Sequence, residues 1–262
     1  MPNNQDQHKQ KRPDIIEEWT LPPPNLPPLF VWRSQDPNLL KNYRGDLKNP
    51  KNRSENIPDE KNTSLFLYNL PPRCTTAQLL ASLQGVGKIY FSSINPPSGK
   101  FHTSAAKVTF WDRQGADNLL SLISKGQFFV GGFRAKACMN RIRVSAQEES
   151  LCSRVILIRG PSNVVSMANL HRFFAIRFYY ELESYFETWN WDGTTSIEIR
   201  FSSYRAQASC AWRLLFELQK GIVSYDITPK VTLEELRLFS HMYIEWGRDP
   251  CEYQGNNIPT FL

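Results

Sequence analysis

The sequence lacks any uninterrupted apolar run of the length, about 18 residues, that a helix needs to cross a bilayer. Its first residues, MPNNQDQHKQKRPD, also lack the apolar stretch that a secretory signal requires. Cysteine is sparse, with five residues and no C-x-x-C pair, and the four histidines lie far from them, so zinc-ligand spacing is absent. These absences predict an intracellular protein with free thiols, no bound metal and no membrane partner. We expect it in the nucleus or the cytoplasm, with the nucleus slightly favoured.

The motifs of common enzyme classes are missing as well. The sequence has no glycine-rich loop that could cradle a phosphate, no nucleophile elbow and no H-E-x-x-H. We therefore expect a protein that is not an enzyme and that uses no cofactor.

Acidic residues are scarce in the middle third of the chain. Residues 63–145 hold 10 Lys and Arg but only 2 Asp and Glu, a balance of +8, whereas residues 146–262 hold 11 and 14, a balance of −3. A basic region of this kind is typical of a protein that binds a polyanion.

The first 62 residues mix charge with proline, as in LPPPNLPPL (21–29). Successive prolines disfavour helix and sheet, so residues 1–62 are predicted to form a disordered, proline-rich segment. Two roles stay open for the prolines: a stiff linker, which we favour, or a ligand for a proline-binding module.

A regular pattern begins at Ser64. SLFLYNL has the composition of a strand, Thr75 and Gln78 have the spacing of a helix capping box, and Asp112 is placed to cap a second helix. Together with three further predicted strands the order is β-α-β-β-α-β, the ferredoxin-like arrangement. The order recurs after residue 152, with one additional short helix predicted from a capping box at Thr232 and Glu235. The fold class is therefore α+β, with two such domains in tandem.

Two segments of the first repeat carry a resemblance to a known family. LFLYNL (65–70) matches the six-residue motif of the RNA recognition motif (RRM) family at every position, and TSAAKVTF (103–110) falls where the family has its eight-residue motif. The chain resembles this family twice over, and it is also similar to uncharacterised fungal proteins with two degenerate RRMs in IPDEKNTSLFLYNLPP, VILIRGP, RFSSYRAQ and GRDPC. The resemblance implies a first RRM at 63–146, a second, degenerate RRM at 152–252 and a tail at 253–262.

The resemblance implies that bases stack on aromatic side chains of the open sheet face. Strand alternation places Phe66 and Tyr68 on that face, whereas Ala105 and Lys107 occupy sites where the family has aromatics. On the second strand either Tyr90 or Phe91 adds a ring, because a bulge would exchange their faces. The predicted RNA-binding residues are Phe66, Tyr68, Tyr90, Lys107, Arg134, Lys136 and Arg141.

The second repeat is poorer in such residues. We expect Ile156 at its stacking position, with Ser196 and Glu198 at the other aromatic sites. Tyr185, Trp189 and Trp191 form either core or an exposed patch for a protein partner. The sequence thus predicts an RNA-binding protein that holds single-stranded RNA on the first sheet with low sequence specificity, while the second domain is structural or binds protein. The alternative is a protein-interaction adaptor in which the second RRM or the proline-rich segment recruits a partner.

Overall fold

The computed structural model describes residues 53–223, 227 and 231–252. The predicted disorder of the first 52 residues, the role of their prolines and the tail from residue 253 lie outside these residues. Residues 53–62 were predicted to be disordered but pack against the end of the first domain: Glu55 N donates to Arg143 O at 3.1 Å, and Asn62 Nδ2 donates to Asn140 O at 3.1 Å. Their polar composition suggested disorder, yet these polar groups supply the hydrogen bonds that hold the segment in place.

The first domain contains, in chain order, strand β1 (Ser64–Leu70), helix α1 (Thr76–Ala81), strands β2 (Ile89–Asn95) and β3 (Ser104–Phe110), helix α2 (Arg113–Ser124), a small hairpin of β4 (Phe129–Val130) and β5 (Phe133–Arg134), and strand β6 (Lys136–Met139). The four main strands form an antiparallel sheet in the order β2-β3-β1-β6. Both predicted helix starts are confirmed, since Thr75 and Gln78 form a capping box and Asp112 Oδ1 accepts from Gly115 N at 2.9 Å.

The second domain repeats the order with strand β7 (Val155–Pro161), helix α3 (Met167–Arg177), strands β8 (Leu182–Trp189) and β9 (Thr194–Phe201), helix α4 (Ser209–Gln219), helix α5 (Leu233–Phe239) and strand β10 (Tyr243–Gly247). Its sheet has the corresponding order β10-β7-β9-β8. Helix α5 is the predicted additional helix, and its Thr232–Glu235 capping box is formed. The α+β fold class with two ferredoxin-like domains is confirmed.

Each core lies between one face of a sheet and its helices. In the first domain Leu65 and Leu67 of β1 are fully buried against Leu79 and Leu80 of α1, among other apolar side chains. The second core is richer in aromatics and includes Phe173 and Phe174 of α3 and Phe201 of β9. In the described part of the chain the helices cover only one side of each sheet, and the opposite side is termed its open face.

A buried ionic cluster joins the two domains. Arg154 is fully buried; its Nε donates to Asp249 Oδ1 at 2.8 Å and its Nη1 to Glu183 Oε2 at 2.6 Å. Asp249 Oδ2 in turn accepts from the backbone N of Ile89, at the start of β2 in the first domain, at 2.8 Å. Cys251, which follows β10, packs within the core of the first domain. The segment after β10 therefore ties the second domain to the first.

Candidate nucleic-acid interface

Strand alternation in β1 exposes two aromatic side chains on the open face of the first sheet. Leu65 and Leu67 point into the core, so Phe66 and Tyr68 point to the other side, where Tyr68 is 41% exposed. Phe66 lies opposite Lys107 on β3 and Cys138 on β6. The two rings are thus presented on the face that the helices leave open.

Lys107 is the cation at the centre of this face. It lies between Phe66 on β1 and Ser93 on β2, and its Nζ is 5.3 Å from the centroid of the Phe91 ring, a cation–π contact. The side chain is half-buried, and none of the ion pairs formed among the described residues includes it. Burial, with a further contribution from the positive charge of Arg205, lowers the pKa of Lys107 to about 8.

The second strand contains a β-bulge. Ile89 pairs with Phe110 and Phe91 with Thr109, so the strand has one extra residue between Ile89 and Phe91. Phe91 joins the open face beside Lys107, whereas the ring named among the predicted RNA-binding residues is Tyr90. Tyr90 instead packs at the domain junction, with its ring centroid 5.7 Å from that of Trp111 and 6.0 Å from that of Tyr204.

The fourth strand supplies Lys136, which is exposed and lies opposite Tyr68. Arg134 does not join it on the open face. It belongs to the β4–β5 hairpin, and its guanidinium lies beside Gly126 at the end of α2, on the helical side. Arg141 is exposed beyond β6, where its carbonyl accepts from Ser54 Oγ at 3.0 Å. Of the predicted residues the structure brings together Phe66, Tyr68, Lys107 and Lys136.

The open face of the second sheet differs at its centre. Its β7 strand buries Ile156 and Ile158, so Leu157 faces outward; the expectation that Ile156 stands at the stacking position is wrong by one residue. Leu157 lies opposite Glu198 of β9 and Glu245 of β10. The place that Lys107 takes in the first sheet is therefore taken by Glu198, which pairs with Arg200.

The aromatic side chains around β8 are exposed rather than part of the core, with Tyr185 and Trp189 on the helical side of the sheet and Phe186 on the open face. Trp189 is 71% exposed, Trp191 in the following turn is fully exposed, and Tyr185 and Phe186 are also exposed. Strand β8 lies at the edge of the sheet, so few elements are available to cover its side chains. Of the two alternatives left open by the sequence, the structure supports the exposed patch.

The structure also bears on metal binding and membrane insertion. Among the described residues, no group of three His, Cys, Asp or Glu side chains is placed to hold a metal ion. No helix in the described part of the chain has the length and hydropathy to cross a membrane.

The chain matches no family model and no curated protein. Among solved structures it is similar to the first two RRM domains of yeast poly(U) binding protein, Pub1, at 19% identity over 71% of this chain and 99% of that chain, with a TM-score of 0.27. It is also similar to Sex-lethal RNA recognition domains 1 and 2 from Drosophila melanogaster, at 15% identity over 71% and 100%, with a TM-score of 0.24.

A third match is the N-terminal three RNA binding domains of the yeast splicing factor Prp24, at 13% identity over 71% of this chain and 64% of that chain, with a TM-score of 0.28. The resemblance of both domains to the RRM fold rests on the β-α-β-β-α-β order and on the strand order of each sheet.

Proposed function

We propose that the chain is an RNA-binding protein that holds single-stranded RNA on the open face of its first sheet. The observation that carries the proposal is the juxtaposition of the Phe66 and Phe91 rings with the half-buried ammonium of Lys107. Aromatic faces stack with the bases of single-stranded RNA, and a cation beside them attracts the backbone between two bases. Tyr68 and Lys136 extend the same surface along β1 and β6.

Low sequence specificity follows from the same geometry. A lysine stands where a third stacking ring would be, and a phosphate contact carries no sequence information. Ala105, the other aromatic site of β3, offers a methyl group to this face. The open face therefore binds the phosphate backbone of the RNA and stacks on bases of any type. A non-enzymatic role and a location in the nucleus or cytoplasm remain predictions that accompany this proposal.

The test is a titration of the full chain with a fluorescently labelled single-stranded RNA of mixed sequence, followed by fluorescence anisotropy. Phe66→Ala should weaken binding by about 1–3 kcal/mol, because one base loses its stacking partner. The matched control is Phe186→Ala, which removes an exposed phenylalanine from the open face of the second sheet and should leave affinity unchanged. Equal affinities of wild type and Phe66→Ala would rule out stacking on this ring.

A second candidate function is protein binding by the second domain. The exposed Trp189 and Trp191 support it, since exposed aromatic side chains are enriched at protein interfaces. On an array of peptides of varied composition, the wild type should retain a subset of the peptides, and a Trp189→Ala, Trp191→Ala variant should release that subset. Equal retention by the two proteins would contradict this role.

A further inference from the structure

The β4–β5 hairpin of the first domain presents two phenylalanine rings to solvent. Phe129 is 50% exposed and Phe133 is 37% exposed, whereas Val130 between them in the chain is buried. Phe129 lies directly opposite Arg134 in the two-stranded ladder, so their Cβ atoms lie about 4.5–5.5 Å apart on the same side of the hairpin. Because Val130 points into the core, Phe129 and Arg134 point away from it.

Arg134 lies on this outer side beside a second cation. Its guanidinium packs on the backbone of Gly126, so closely that a Cβ atom at that position would overlap it. Gly126 follows Lys125, the exposed C-cap of α2. Within the part of the chain that the structure describes, neither cationic side chain forms an ion pair or a hydrogen bond. The surface formed by Phe129, Arg134 and Lys125 is termed the hairpin face.

The first domain supplies no acidic residue close to the hairpin face in the chain. Residues 63–145 contain only two, Asp112 and Asp117. Asp112 caps the start of α2, and Asp117 pairs with Arg113 at 2.7 Å. Eight positions of α2, about 12 Å of helix, separate Asp117 from Lys125 at the other end. The hairpin face is therefore complementary in charge to a polyanion.

The hairpin begins where the open face of the first sheet ends. Lys136, two residues after Arg134, lies opposite Tyr68 on that face. Asn69, the neighbour of Tyr68, donates from Nδ2 to Arg134 O at 2.9 Å. The backbone of Asn69 adopts the left-handed region (φ 61°), which asparagine tolerates better than most residues that have a Cβ atom. This hydrogen bond holds the hairpin beside the last outward ring of β1.

We propose that an RNA strand bound on the open face continues onto the hairpin face, where Phe129 stacks one base and Arg134 binds a phosphodiester group. The inference rests on the proposed function and extends its binding site beyond the sheet. An exposed ring offers a π-face to any base, and a guanidinium presents two parallel N–H donors to a phosphate. An acidic peptide would pair with the cations but would leave Phe129 without a base to stack on, so the ring favours RNA.

The proposal is tested by anisotropy titrations of the full chain with two labelled single-stranded RNAs of mixed sequence. One has about three nucleotides, the number that a single sheet of this kind stacks, and the other has about ten, which suffices for an extended site. Phe129→Ala and Arg134→Ala should each weaken binding of the longer RNA several-fold and leave the shorter RNA unaffected, because only the longer strand reaches the hairpin face.

The dependence on salt identifies the phosphate contact. With the longer RNA, Arg134→Ala should reduce the slope of log affinity against log salt by about 0.7, the value for one phosphate contact on a single strand. Arg134→Lys keeps the charge and should keep the wild-type slope. The matched controls are Phe216→Ala and Arg237→Ala, which remove an exposed phenylalanine from α4 and an exposed arginine from α5. Both should bind the two RNAs as the wild type does, and thermal unfolding of every variant verifies that the fold is retained.

The outcomes separate this inference from the proposed function. If Phe66→Ala weakens binding of both RNAs but Phe129→Ala and Arg134→Ala bind the longer RNA like the wild type, the inference is wrong while the proposed function stands. Equal losses on the short and the long RNA would also contradict it, as would a glutamate-rich peptide that displaces the longer RNA as effectively as unlabelled RNA does. If the wild type binds neither RNA, the proposed function is the part that fails.

Discussion

The two sheets of this protein have the same strand order but side chains of opposite charge at the centre of their open faces. At equivalent places the first sheet carries Phe66 beside Lys107, and the second carries Leu157 beside Glu198. The core-facing residues, by contrast, are apolar in both domains. Since the fold requires only the core-facing half of each strand, the outward half is free to diverge. One β-α-β-β-α-β framework can therefore carry a surface suited to RNA and another suited to a different partner.

The largest effect is expected where the two domains are joined. Asp249→Ala leaves the guanidinium of Arg154 buried without one of its carboxylate partners, and it removes the acceptor of Ile89 N. Loss of one partner of a buried ion pair lowers the free energy of unfolding by about 3–5 kcal/mol. Urea unfolding followed by circular dichroism measures this change.

The control for Asp249→Ala is Glu252→Ala. This substitution breaks an exposed ion pair with Arg248, whose N–O distance is 3.7 Å. Exposed pairs contribute about 0–1 kcal/mol, so little change is expected. If Asp249→Ala lowers the free energy of unfolding no more than Glu252→Ala does, the buried cluster does not hold the two domains together. The two domains, each with its own sheet, would then be independent units.

An exchange of charge between the sheets tests whether the central residue of each face decides RNA binding. Lys107→Glu gives the first sheet the residue of the second and should weaken RNA binding about tenfold or more, because a hydrogen bond to a charged group contributes about 1.5–3 kcal/mol. Glu198→Lys, the reciprocal change, should leave binding unchanged or strengthen it slightly, since the second sheet still lacks a ring at Leu157. Anisotropy titrations measure both. Equal losses from the two substitutions would contradict the assignment of RNA to the first sheet alone.

The smallest effect is a dependence on pH that only the first sheet should show. The pKa of Lys107 is about 8 in the folded protein and 10.5 as its ordinary value. RNA affinity should fall as pH rises through 8, because the ammonium loses its charge. The free energy of unfolding should rise between pH 8 and 10.5, because in that window the unfolded chain binds the proton that the folded chain has lost.

Lys107→Arg keeps the charge throughout this range and should remove both trends. The charged neighbour of Lys107 is Arg205, and Cys138 lies in the same row across Phe66, so the comparison is made in a Cys138→Ser background. RNA affinity that falls equally in the Lys107→Arg variant would assign the pH dependence to another group.

Much of the open face of the first sheet could be predicted from local sequence. The alternation of β1 identified Phe66 and Tyr68 as outward residues, and the same rule correctly placed Lys107 and Lys136. The sequence could not choose between Tyr90 and Phe91, because a bulge depends on how two strands pair, which short-range periodicity does not record. The prediction failed for Ile156 because a run of aliphatic residues gives no contrast between the two faces of a strand.

The sequence by itself determined the secondary structure, the helix caps and the outward side chains of regular strands, because these follow from the geometry of neighbouring residues. Only the tertiary structure decided that Phe91 of β2 lies beside Lys107 on the open face and that the aromatics around β8 are exposed. Each of these depends on contacts between segments distant in the chain. Such contacts form only when the strands have paired and the sheet is complete, so neighbouring residues along the chain do not encode them.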